Sequence, residues 1–179
     1  LAVCEHGQLL GLSPADSRTE AIERLLDHLM EDSNAVGGLD FAFSMPAWFV
    51  DKLGGRSGPD LWPIVQKYGE RWLRECTPPF WGRPGKKKPS LPGHFRRTEE
   101  LVEAVGGIKP KSVFQIGGAG AVGTGSVRGV PYLSLLRDSG VAIWPFDKAI
   151  RPLVVEIYPR LLTGAVVKSS SIGRIEYLD

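Results

Sequence analysis

The sequence predicts an α/β fold, a mixed sheet flanked by helices, and three consecutive features near its start predict it. Apolar residues alternate or run on both sides of His6-Gly7 in LAVCEHGQLLGLS, which suits two strands joined by a tight turn. In SRTEAIERLLDHLMEDS, Ser17 and Glu20 have capping-box spacing, and Ile22, Leu25, Leu26, Leu29 and Met30 share one stripe of a helix over 17–32. AVGGLDFAFSMP then reads as a buried strand over 36–43 ending at Pro46. Hairpin, helix and buried strand in that order place the third strand beside one of the first two, through a crossover connection.

The remaining elements follow from local signals. Pro46 suits the first turn of a short helix over 47–53. Leu61, Trp62, Val65, Tyr68, Trp72 and Leu73 recur at helical spacing over 59–76. CTPPFWGRPGKKKPSLPGHFRR is a Pro/Gly-rich loop with aromatics at both ends, and TEELVEAV is a short helix that Thr98 could cap. A helix opens at Pro131 and runs to 138, and 141–146 and 153–158 have strand character. There is no internal repeat.

Composition narrows the class. At 179 residues the chain suits one domain over 1–179, and 42% hydrophobic with 23% charged residues is globular. The 22 glycines and 14 prolines predict long loops, and five Trp and seven Phe are available to pin them. Two cysteines, Cys4 and Cys76, form neither a disulfide framework nor a metal knuckle, so a reducing, cytoplasmic location is expected. No apolar run approaches the roughly 20 residues that span a bilayer, so no membrane partner is expected. Leu1 lies inside an apolar run and Asp179 follows Ile-Glu-Tyr-Leu, which suggests a core strand before Leu1 and a helix after Asp179.

SVFQIGGAGAVGTGSVRG carries Gly118-x-Gly120-x-x-Gly123, and Asp147 follows some twenty residues later. A dinucleotide fingerprint needs a helix after its third glycine, whose amides hold the pyrophosphate. Gly125, Gly129 and Pro131 argue against one, at roughly 1 kcal/mol per interior glycine and roughly 3 for proline. The preceding strand is interrupted by Gln115, and no Gly-Lys-Ser/Thr is present. A structural glycine loop is expected, not a nicotinamide or flavin site. Arg128 and the amides of 117–125 remain available to a phosphate.

Asp40 and Glu156 stand out because their neighbours are apolar. A carboxylate on a buried strand must be paired, hydrogen-bonded or bound to metal. Metal-dependent hydrolases of nucleic acid bring such carboxylates together from adjacent strands. The alternatives are a cap or an arginine partner for Asp40, and Arg160 or Lys168 as partner of Glu156. Residues 77–97 contain no acid but six cations: Arg83, Lys86, Lys87, Lys88, Arg96 and Arg97. These could track a phosphate backbone, with Phe80, Trp81 and Phe95 stacking on bases, or form a solvated loop clipped down by those aromatics. His6, His28 and His94 share no metal spacing, and Ser44, Ser112 and Ser169 have no nucleophile motif.

GLDFAFSMP, FWGRPGKKKP, FRRTE, KSVFQIGGAGAVGTGSVRG and VVEIYPRLLTG, in this order, resemble the family called domain of unknown function 429, described as predicted nucleases of RNase H-like fold. The resemblance covers nearly the whole chain, and the last two motifs are the most specific. It implies an RNase H-like sheet in which the hairpin at 1–12, helix 17–32 and strand 36–43 are the second to fourth elements, and 46–140 is a long helix-and-loop insertion. It further implies a first strand with an aspartate before Leu1 and a final Asp-Ala-x-Asp-Ala helix after Asp179. By the same resemblance the site holds Mg²⁺ or Mn²⁺, with Asp40 a metal ligand and Glu156 a ligand or base. Arg83, Lys86, Lys87, Lys88, Arg96, Arg97 and Arg128 would then bind the phosphates of DNA or RNA. Two other functions fit the same residues: a non-catalytic module binding nucleic acid or another anion, and small-molecule phosphotransfer, since the fold core also serves sugar kinases.

Overall fold

His6 and Gly7 both take positive φ, 49° and 80°, the pair of left-handed residues that a two-residue hairpin turn needs. They join β1 (Ala2–Glu5) to β2 (Gln8–Leu12) antiparallel, with Glu5 opposite Gln8 and Ala2 opposite Leu12. The structure, a computed structural model, describes residues 1–91, 93–104 and 107–163. Lys168 and Ser169, considered above, lie outside the described residues.

The first helix, α1 (Arg18–Glu31), starts where its cap predicts. The Ser17 hydroxyl accepts the Glu20 amide at 3.0 Å, and the Glu20 carboxylate accepts the Asp16 amide at 2.6 Å. Ile22, Leu25 and Leu29 are buried, while Met30 is exposed, so the apolar stripe is narrower than its letters suggest.

The central sheet is parallel. β3 (Val36–Leu39) pairs with β5 (Leu153–Glu156), which pairs on its other side with β4 (Ala142–Trp144), giving the order β3-β5-β4. Among the described residues, β3 does not lie beside β1 or β2, contrary to expectation; the hairpin is a separate two-stranded sheet. Strand β3 is also shorter than 36–43. Beyond Leu39 the amides leave the ladder for side chains: Ala42 N–H donates to Ser126 Oγ at 3.1 Å, and Phe43 N–H to Glu156 Oε2 at 2.9 Å.

Between β3 and β4 the chain forms α2 (Ala47–Lys52), α3 (Gly58–Glu75), α4 (Arg97–Leu101), α5 (Gly123–Gly129) and α6 (Pro131–Asp138); α7 (Arg160–Thr163) follows β5. The cap of α4 is not Thr98: Glu99 reaches back to accept the Arg96 amide. Phe49, Trp62, Phe114 and Leu133 from this long segment join Leu25 and Val154 in one buried cluster. Phe49 meets Trp72, Phe80 and Phe114 edge-on, with ring centroids 5.2–5.8 Å apart; such pairs add about 0.5–1.5 kcal/mol each beyond their buried area. Among the described residues no helix is long and apolar enough to cross a membrane.

The glycine-rich segment corrects one expectation. A helix does begin at Gly123, despite Gly125 and Gly129. Propensity is overruled by close packing. A β-carbon on Gly123 would strike the Val113 carbonyl, and one on Gly129 the Phe41 ring, while Ser126 and Val127 are buried. The segment before it makes a single bridge, Gln115 to Trp81, and is not a strand of the β3-β5-β4 sheet. The strand–turn–helix unit of a dinucleotide fold is therefore absent here among the described residues. Asp147 is occupied, accepting from Arg137 Nη2 at 2.5 Å and from the Ile143 amide at 3.0 Å.

Candidate functional site

All three strands of the central sheet run the same way, so their C-terminal ends share one edge. Leu39 pairs with Glu156, which places Asp40 one residue beyond the ladder next to Glu156; Trp144 ends β4 on the far side. In open α/β sheets this edge is where ligands bind.

Asp40 and Glu156 line one cavity of 120 Å³, together with Arg96, Thr98, Lys111 and Tyr158. That is smaller than ordinary small-molecule pockets of roughly 300–1,000 Å³. An adjoining cavity of 240 Å³ takes in Asp40, Lys111, Gly120, Tyr158 and Arg160. Asp40 is exposed, not enclosed in a strand as its apolar neighbours suggest. Burial raises the Tyr158 pKa; the Arg160 charge opposes that and the Asp40 charge adds to it.

Glu156 is held on both oxygens. Arg96 Nη1 donates to Oε2 at 2.7 Å and Nη2 to Oε1 at 2.5 Å, while the Phe43 amide shares Oε2. Arg96 also donates from Nε to Glu99 Oε1 at 2.8 Å. The three side chains are 15%, 6% and 29% exposed for Arg96, Glu99 and Glu156. Burial works against the Arg96 charge, yet the hydrogen bonds and charge of Glu156, then those of Glu99, hold its pKa above the ordinary arginine value. Burial raises the Glu99 pKa, against the lowering influence of Arg96.

These donors decide what a divalent cation would find. Both oxygens of Glu156 serve a guanidinium, and a second cation on the same oxygens would face its charge at close range. Glu156 therefore fits an ion pair and not a metal shell, and its partner is Arg96, not Arg160. Asp40 fits as one carboxylate ligand, which Mg²⁺ accepts when waters and substrate phosphates complete its octahedron. Among the described residues no group of three or more His, Cys, Asp or Glu side chains could hold a metal ion.

The predicted phosphate-binding residues divide into three places. Arg96 lies in the wall beside Glu156, and Arg97 opens α4 on the rim of a larger cavity of 790 Å³. Arg83, Lys86, Lys87 and Lys88 are exposed on a turn in which the Lys86 amide donates to the Arg83 carbonyl at 2.8 Å; none lines the three cavities at the sheet edge. Lys88 Nζ sits 5.6 Å from the Trp81 ring and 5.7 Å from the Phe95 ring, so the aromatics do clip the loop down. Arg128 lines a different cavity and pairs with Glu70 at 2.7 and 3.1 Å.

The glycines fix the base of that loop. The backbones of Gly82 and Gly117 pass so closely that a β-carbon on either would overlap the other's peptide. Lys111 and Tyr158 line both Asp40 cavities and Arg160 one of them; the sequence marks Arg160 only as a partner for Glu156 and none of the three as a site residue. Only Tyr158 carries a signal: two residues past Glu156, it shares that residue's side of an extended chain.

A scan against protein-family models matches nothing, and neither the curated proteins nor the solved structures contain a match to this chain.

Proposed function

We propose that the protein is a divalent-metal-dependent phosphodiesterase with an RNase H-like sheet, acting on nucleic acid at the cavity beside Asp40. One observation carries this: Asp40 follows the C-terminal end of β3 at the edge of the parallel sheet and lines a cavity with the cations Lys111 and Arg160. The chain order of hairpin, α1 and parallel β3 also supports it. Asp40 would hold Mg²⁺ or Mn²⁺, an ion that neutralises phosphate charge and supplies a water of lowered pKa. Glu156 has a positioning role: by holding Arg96 and the Phe43 amide it fixes the loop that carries Asp40. Lys111 and Arg160, beside Asp40, are cations placed for substrate phosphates.

The test is hydrolysis of single- and double-stranded DNA and RNA in Mn²⁺. Asp40→Asn is expected to abolish turnover while leaving binding largely intact. Equal rates for wild type and Asp40→Asn would overturn the proposal. Anion binding without turnover is the second reading, favoured by the neutralisation of Glu156 by Arg96. It expects salt-sensitive binding that is indifferent to Asp40→Asn.

A further inference from the structure

The cavity on the β4 side of Glu156, at 790 Å³, has the size of a ligand pocket. Its apolar walls come from Met45, Val50, Trp144, Phe146 and Ile157. Trp144 ends β4 and is 49% exposed. The other four tryptophans each pack against another aromatic ring; among the described residues Trp144 alone does not. A half-exposed indole at the C-terminal edge of a parallel sheet has π-surface to offer a ligand.

The polar rim has matching chemistry. Arg56 and Arg97 line the cavity and both are exposed; the Arg56 amide and, more weakly, its charge help hold the Asp60 carboxyl below its usual range, and among the described residues Arg97 is in no salt bridge. Among the described residues, Asp51 is the one acid lining this cavity apart from Glu156, whose charge Arg96 already answers. A largely apolar cavity with a half-exposed indole and two exposed guanidiniums on its rim suits a flat ring that carries phosphate. The slot shares Arg96, Thr98, Glu156, Ile157 and Tyr158 with the Asp40 cavity, so the two form one track along the sheet edge.

We infer that this cavity takes an unpaired base of single-stranded nucleic acid, stacked on Trp144, with the flanking phosphates at Arg56 and Arg97. A base inside a duplex is stacked on both faces and cannot enter such a slot without being extruded. Stacking on one aromatic side chain is sequence-tolerant and worth roughly five- to hundredfold in affinity. The inference rests on the proposed function for its choice of nucleic acid, but not on hydrolysis.

The experiment is fluorescence anisotropy with a short labelled oligothymidylate, its abasic counterpart of equal length, and the corresponding duplex, all in EDTA so that no metal chemistry intervenes. Wild type is expected to prefer the oligothymidylate over both others. Trp144→Ala should weaken that binding roughly tenfold and leave the abasic strand unaffected, while Trp144→Phe recovers most of it. Arg56→Gln with Arg97→Gln should lower the slope of log K against log salt by about 1.4, or 0.7 per lost phosphate contact. Circular dichroism melts confirm that each variant is folded. Equal affinity of wild type for base-bearing and abasic strands, tighter binding to the duplex, or wild-type affinity in Trp144→Ala would overturn the inference. Absence of any oligonucleotide binding would sink the inference and the nucleic-acid substrate together. Base-dependent binding without turnover in Mn²⁺ would sink only the nuclease.

Discussion

Arg96 grips both oxygens of Glu156, from Nη1 at 2.7 Å and Nη2 at 2.5 Å, while Glu99 occupies its Nε and its backbone amide. One guanidinium thereby ties the start of α4 to the end of β5. Through the Phe43 amide, the same carboxylate holds the turn that follows Asp40. The edge of the site depends on this fork.

Arg96→Met should be strongly destabilising, because it leaves two carboxylates without their cation. Removing one partner of a buried pair costs about 3–5 kcal/mol, and the partial exposure of Glu156 points to the lower end. Urea unfolding measures it. Adding Glu156→Gln should restore part of the loss, and Arg96→Lys should fall short of wild type because an ammonium cannot make the fork. A loss below about 1 kcal/mol for Arg96→Met would mean the pair is no more than a surface contact.

Two glycines of the same helix should respond with opposite signs. Gly123→Ala forces a β-carbon into the carbonyls of Val113 and Gln115 and should cost at least about 2 kcal/mol. Gly125 is exposed in α5 with nothing within 4 Å of a β-carbon, so Gly125→Ala should stabilise by about 0.5–1 kcal/mol. Thermal melts of the two variants, run side by side, check the pair.

His94 is 9% exposed, its Nδ1 has no hydrogen-bond partner among the described residues, and its ring stands edge-on to Trp81 at 5.0 Å. Burial first, and the Lys88 charge second, push its pKa below the usual histidine value, against the Pro89 carbonyl. The folded state therefore prefers neutral His94. Its contribution is fully present above the unfolded value of about 6.5 and is lost as pH falls below it, because the unfolded chain takes the proton first. Going from about pH 7.5 to about pH 5, wild type should lose more stability than His94→Phe. Parallel losses in the two proteins would show that His94 does not carry this dependence.

The basic turn can be separated from the sheet-edge track by salt. If Lys86, Lys87 and Lys88 follow a single-stranded backbone, changing all three to Gln should lower the slope of log K against log salt by about 2. An unchanged slope would make the turn a solvated loop in which Lys88 serves to pack against Trp81 and Phe95.

Much of the fold was legible because its signals are local. Ser17 and Glu20 mark the start of α1, Pro131 opens α6, and His6-Gly7 turns the hairpin, each through bonds or torsions within a few residues. Helix α5 was not legible, since what permits it is the carbonyl of Val113 and the ring of Phe41 arriving from elsewhere. The length of β3 is hidden from the sequence for a similar reason: Ser126 and Glu156, remote in the chain, take the amides that would have continued its ladder.

The sequence by itself determined the α/β class, most of the helices, and the prominence of Asp40 and Glu156 among apolar neighbours. Only the tertiary structure decided that Asp40 is exposed beside a cavity, that Glu156 belongs to Arg96, and that Trp144 alone among the tryptophans lacks a ring partner among the described residues. Periodicity and caps report what a residue does with its near neighbours. Charge pairing and exposure depend on which distant groups the fold brings within a few ångströms, and at that range desolvation and Coulomb attraction outweigh local preference.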